Sequence, residues 1–180
     1  MITNKTAKVR LKKRQIAMFI AGLLAITVGL SILSVFAYRR IRRELNLRKL
    51  LRENVVVEIK DLNIKAPVLE GVGNDVLRQA AGHFENTGDV GKGNYCIAGH
   101  SSVIYKEFFN NLKNVQLGME IDLYDKSKNR YTYVVTDSFI VNPDETWILD
   151  DFEDVRVTIV TCTDDGTQRQ VVVGKMSAND

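Results

Sequence analysis

Val157-Thr158-Ile159-Val160-Thr161-Cys162-Thr163-Asp164-Asp165-Gly166-Thr167-Gln168-Arg169-Gln170-Val171-Val172-Val173 decides how this chain folds. The stretch reads as two alternating β-segments joined by a polar turn at Asp164-Asp165-Gly166. Successive side chains of a strand project to opposite faces. Val155, Val157, Ile159 and Thr161 therefore share one face, and Arg156, Thr158, Val160 and Cys162 share the other, more polar one. In the returning strand Arg169, Val171 and Val173 lie together. A loop as short as 163–168 stands the Cys162 thiol and the Arg169 guanidinium side by side on neighbouring strands.

Outward from this pair the chain offers more short strands, near 55–59, 62–68, 94–99, 119–124, 130–141, 155–162 and 168–175. Lys60-Asp61 separates the first two, and Asp125–Asn129 forms a turn before 130–141. Asn74 predicts the cap of a short helix over 75–81, ended by Gly82, with His83 just past it as a capping or supporting group. Tyr105 to Leu112 predicts another helical turn. Strands at this spacing predict a mainly β, closed or nearly closed barrel of about eight strands with a few short helices. Beyond Asn54 the chain is long enough for one hydrophobic core.

Residues 16–37 form an uncharged apolar run of 22 residues. At about 1.5 Å per residue, one helix of this length crosses a hydrocarbon core of roughly 30 Å. Val35 and Ala37 also fit a signal-peptide cleavage rule, but the run exceeds the usual apolar region of about 7 to 15 residues. The formal charge of +3 hides a division. Residues 1–15 carry six Lys/Arg and no acid, residues 38–53 carry seven against Glu44 and Glu53, and the rest of the chain holds 12 basic and 20 acidic groups. The basic excess belongs to the flanks of the apolar run, and no zinc-finger or aromatic-plus-basic RNA motif is present, so nucleic acid is not an expected partner. Positive charge on both flanks leaves orientation undecided by charge alone.

His100, in Ile97-Ala98-Gly99-His100-Ser101, ends an earlier apolar strand. Cys162, His100 and Arg169 supply a sulfur nucleophile, a proton carrier and a fixed donor for a developing oxyanion, the parts needed for acyl transfer. Cys96 precedes His100 by four strand residues, or roughly 13 Å, and reads as a packed interior thiol. A Cys96–Cys162 disulfide would consume the nucleophile and leave a binding barrel. A zinc site from His83, Cys96, His100 and Cys162 lacks the paired spacing of structural sites.

Thr158-Ile159-Val160-Thr161-Cys162 resembles the Thr-Leu-x-Thr-Cys signature of the sortases, with Ile in place of Leu. Asn94-Tyr95-Cys96-Ile97-Ala98-Gly99-His100 is similar to the segment that carries their catalytic His, and Arg169 falls where their Arg does. The likeness covers roughly residues 55–175, in three separated motifs in the right order. It implies a sortase-like barrel behind one transmembrane helix. Residues 1–15 would be a cytoplasmic basic N-terminus, 16–37 the membrane span, 38–54 a basic stalk and 55–180 the extracellular catalytic domain. Arg39, Arg40, Arg42 and Arg43 would then meet lipid phosphates.

The resemblance further implies a cell-membrane cysteine transpeptidase. Cys162 would form a thioester with a Leu-Pro-x-Thr-Gly-like sorting signal of a surface protein and pass it to a cell-wall peptidoglycan precursor amine. The sorting-signal pocket of the family is built where Val141–Leu149 lies. Trp147, Ile148 and Leu149 either line that pocket or cap the barrel core, and Thr161 is a further candidate contact. Some relatives bind calcium through acidic loops, but Asp150, Asp151, Glu153, Asp154, Asp164 and Asp165 read better as a solvated surface, so no cofactor is expected. No aromatic-containing lid motif precedes Val55 and no second apolar run follows Val173, which points away from the pilin-polymerising members. A membrane-tethered endopeptidase using the same residues is the alternative enzyme.

Overall fold

The computed structural model describes residues 13–101 and 108–176 and divides the chain into two compact units, Met1–Asn46 and Leu47–Asp180. Helix α1 runs over Lys13–Glu53. It is the one helix among the described residues long and apolar enough to cross a membrane. Inside its apolar run the hydroxyls of Thr27, Ser31 and Ser34 donate to the carbonyls of Leu24, Thr27 and Leu30, each at 2.8 Å. Each hydroxyl is thus satisfied within the helix, as a lipid surrounding demands. The expected stalk continues the same helix. Its end is capped by the Asn54 side chain on Leu50 O (3.1 Å) and by Lys128 Nζ on Leu51 O and Asn54 O (3.0 Å each). These donors meet carbonyls that a helix C-terminus leaves unpaired.

Strand β1 (Val55–Ile59) turns through Lys60–Leu62 into β2 (Ile64–Glu70), with Asn63 in the left-handed region at φ 53°. Leu62 and Asn63, expected in a strand, are spent on that turn. Helix α2 (Asn74–Leu77) crosses to β3 (Ala81–His83), which pairs parallel to β2 and antiparallel to β4 (Asn94–Ala98). This corrects the expected helix over 75–81. Asn74 is its first helical residue and not a cap, and Ala81 and Gly82 belong to a strand. A Cβ on Gly82 would lie 2.3 Å from Gly71 O, so β2 and β3 meet closely only because residue 82 has no side chain.

His83 is likewise a buried strand residue, not a helix cap. Its ring stacks on Tyr95 at 4.3 Å, with Nδ1 2.9 Å from Glu70 Oε1 and Nε2 3.1 Å from the Gly88 carbonyl oxygen. Of the helical turn expected over 105–112, residues 105–107 lie outside the described residues; 108–111 form turns and Leu112–Asn114 a 3-10 helix.

Strands β5 (Glu120–Tyr124), β6 (Arg130–Val141), β7 (Arg156–Cys162) and β8 (Arg169–Met176) complete the set. They close as a barrel in the order β1-β2-β3-β4-β7-β8-β6-β5, with β5 returning to β1. Tyr95, Ile97, Val157, Ile159 and Val172 face the interior core with Val57, Ile121, Leu123 and Tyr133. Val160, Val171 and Val173 belong to a second, outer cluster with Val141 and Ile148. The face of β7 that carries Cys162 is therefore covered as well as polar. Thr158 and Val160 are buried there because the β6–β7 connection folds over them.

Candidate active site

The site is set by the adjacency of β4, β7 and β8. Strands β7 and β8 pair so that Cys162 stands opposite Arg169. The next pair outward, Thr163 and Gln168, is joined by a backbone bond from Thr163 N to Gln168 O at 3.1 Å. Alternation along an antiparallel ladder makes Cys162–Arg169 a pair of the non-hydrogen-bonded class, with Cα atoms about 4.5 Å apart and side chains close.

On the other side β4 runs parallel to β7, with Ala98 opposite Val160. The ladder continues one step through Gly99 N to Val160 O at 3.1 Å. Continued in that register, the chain brings His100, two residues past the end of β4, level with Cys162. His100, Cys162 and Arg169 all line one groove of about 410 Å³.

The surrounding structure holds the ends of these strands in place. Thr161 is buried, lines the groove, and donates its hydroxyl to Gly99 O at 2.8 Å, tying β7 to the residue before His100. Gly99 is covered by the Phe109 ring, which a Cβ would meet at 2.4 Å. Arg169 Nη1 donates to Gln168 O (3.0 Å) and Gly166 O (3.4 Å), which fixes the guanidinium over its own turn.

Val141, Ile148, Leu149 and Val160 give the groove its apolar wall, and Phe84, Leu77 and Val72 extend it. Ile148 and Leu149 line the groove and pack on the outer cluster, not on the barrel core. Trp147 does not line the groove. It is 46 % exposed, stacks on Phe139 at 5.7 Å and donates Nε1–H to Glu145 at 3.0 Å. Cys162 also lines a second cavity of about 330 Å³, with Ser101, Lys113, Ser138, Ile140 and Asp164.

Cys96 is fully buried opposite Thr158, and both cysteines are free. Four residues of β7 separate Thr158 from Cys162, roughly 13 Å, well beyond disulfide reach. Burial pushes the Cys96 thiol up to about 12. Native protein at neutral pH is therefore expected to give one iodoacetamide adduct, on Cys162, with Cys96 reacting only after denaturation. Peptide mapping checks this, and native labelling of Cys96 would contradict it.

Among the described residues no group of three or more His, Cys, Asp or Glu side chains is arranged to hold a metal ion. The acidic loops find other partners. Asp164 pairs with Lys113 at 2.7 Å, and Asp154 with Arg156 and with Lys175 at 3.1 Å. Hydrogen bonds from Thr163 and Thr167 hold the Asp165 carboxyl at about 2.

Sequence reasoning brought out Cys162 and Arg169 from the turn between them, and His100 from its motif. It missed Phe109, whose ring covers Gly99, and Asn94, whose side chain bonds Ile148 O and Asp150 O. An Asn opening an otherwise apolar strand, 2 % exposed, was the available signal for the second.

The Sortase domain family model matches residues 57–177. A sortase A of Streptococcus agalactiae serotype III (strain NEM316) is 34 % identical over 123 residues, covering 65 % of this chain and 49 % of the relative. A sortase A of Bacillus anthracis is 30 % identical over 122 residues, covering 67 % and 58 %. The chain thus spans about half the length of the curated relatives it matches. A Clostridium perfringens sortase D5 transpeptidase structure aligns with TM-score 0.63 and 32 % identity, covering 75 % of this chain and 89 % of that one. A Listeria monocytogenes sortase A structure aligns with TM-score 0.65 and 26 % identity, covering 70 % and 88 %.

Proposed function

This chain belongs to the sortase family, and on that premise we propose that it is a single-pass, membrane-anchored cysteine transpeptidase. Its domain outside the cell would cleave a Leu-Pro-x-Thr-Gly-like sorting signal and join the new C-terminus to a cell-wall amine. The observation that carries the reading is the strand order β4-β7-β8, which supports a working row of imidazole, thiol and guanidinium.

In this reading the Cys162 thiolate attacks the carbonyl carbon of the scissile peptide bond. Arg169 and nearby backbone N–H groups stabilise the tetrahedral oxyanion. His100 delivers a proton to the leaving amine, the C–N bond breaks, and a thioester on Cys162 remains. The incoming amine then attacks the thioester, losing its proton to His100, and the sulfur departs as thiolate. A transferase must bring two substrates to one sulfur, and Cys162 borders two cavities. The apolar groove under Ile148 and Leu149 suits the donor peptide, with Thr161 at its floor.

Helix α1 serves as the anchor in this scheme, with the basic N-terminus inside and the arginine-rich stretch against the outer leaflet. Purified protein incubated with a sorting peptide and triglycine is expected to yield the peptide cleaved at Thr–Gly and extended by three glycines, read by mass spectrometry. Cleavage that is indifferent to triglycine would assign an endopeptidase instead. No turnover with any donor peptide would assign a binding barrel.

A further inference from the structure

Part of the groove's apolar wall, Ile148 and Leu149, comes from the β6–β7 connection, residues 142–155, whose regular structure is the single 3-10 turn Trp147–Leu149. That turn has no side-chain cap, and its own backbone bonds are Leu149 N to Thr146 O (2.9 Å) and Asp150 N to Trp147 O (3.1 Å). So short a turn does not hold itself in place. Two buried side chains of β4 reach it from the barrel: the Cys96 thiol, 3.9 Å from Ile148 O, and Asn94, which makes the shorter bonds. Asn94, the first residue of β4, donates from Nδ2 to Ile148 O at 3.0 Å and to Asp150 O at 2.9 Å. Its Oδ1 accepts the Thr158 hydroxyl of β7 at 2.7 Å. Both N–H donors of the amide are used on the turn, and its oxygen is held by the neighbouring strand.

We propose that Asn94 is a positioning residue for donor recognition, fastening the Trp147–Leu149 turn so that Ile148 and Leu149 stay in the groove wall. This rests on the transpeptidase reading above. Asn94 opens β4 and His100 lies two residues past its end, about 20 Å away along extended chain, too far to touch the reacting atoms. It sets the shape of the groove and takes no part in the chemistry at Cys162.

Trp147 is the only tryptophan of the chain and sits on the fastened turn, so its fluorescence reports the tether without reference to activity. The experiment compares full-length wild type, Asn94→Asp and Thr158→Val. Asn94→Asp keeps the shape but turns two donors into acceptors that face two carbonyls; Thr158→Val removes only the hydroxyl that orients the amide.

For Asn94→Asp the expected results are an acrylamide quenching slope of Trp147 raised about 2-fold and a donor-peptide KM raised about 10-fold. Its kcat stays within about 3-fold, and the Cys162 alkylation rate within about 2-fold, of wild type. Thr158→Val is expected to move the same two quantities by less, and it decides the matter alone if Asn94→Asp does not fold. Unchanged Trp147 quenching, or a fall in kcat at constant KM, overturns the proposal. A wild type that transfers no peptide sinks the transpeptidase reading, and the quenching comparison still tests the tether.

Discussion

Cys162→Ala is expected to lower peptide transfer by about 10⁴-fold or more while the barrel keeps its thermal transition. The substitution removes one sulfur atom from the half-exposed end of β7 and leaves every ladder bond of the strand intact. The second thiol cannot take over. Cys96 is fully buried, its thiol is pushed up to about 12, and the β4–β7 register keeps it roughly 13 Å from the groove position. Wild type trapped with a donor peptide should show a mass increment on the peptide that contains Cys162. A thioester of equal yield on Cys162→Ala would remove this residue from the reaction.

Arg169→Ala is expected to lower kcat by about 10² to 10³, the usual loss for one oxyanion donor, with a smaller change in KM. Arg169 is the cross-strand partner of Cys162 and lines the same groove, which suits it to meet the carbonyl of the proposed attack. Nη1 is already bonded to the carbonyls of Gln168 and Gly166, so the fork is held still before substrate arrives. Arg169→Lys should recover only part of the loss, because an ammonium cannot both grip the turn and present a planar fork to the groove. Steady-state kinetics on both variants checks this. A rise in KM alone would make Arg169 a substrate-holding residue.

The sequence could be read wherever a local pattern carries the three-dimensional fact. Alternation places Val157 and Ile159 inside the barrel, and the six-residue loop 163–168 sets Cys162 against Arg169. Other features depend on partners distant along the chain. Strand β3 spans three residues and has no room to show a period of two. The apolar residues leading into it suggest a helix, and only the approach of Gly82 to Gly71 O reveals the strand. The meeting of His100 with Cys162 rests on a parallel pairing of residues some sixty positions apart, which no local pattern encodes; its motif supplied it. The place of Trp147 within Val141–Leu149 suits either a pocket wall or a cap on the core. Stacking on Phe139 holds it elsewhere.

Two adjacent ladders, β4·β7 and β7·β8, set the proposed reacting groups at or just past their strand ends. One residue inserted within β7 would swing Cys162 to the opposite side of the sheet, because side chains repeat every second position. The connection over 142–155 obeys no such parity and, outside the turn that Asn94 fastens, has room for lengthening and rewriting. Mutation in a lineage therefore meets two regimes: a frame in which an inserted or deleted residue displaces the proposed nucleophile, and a rim whose changes reshape the groove alone.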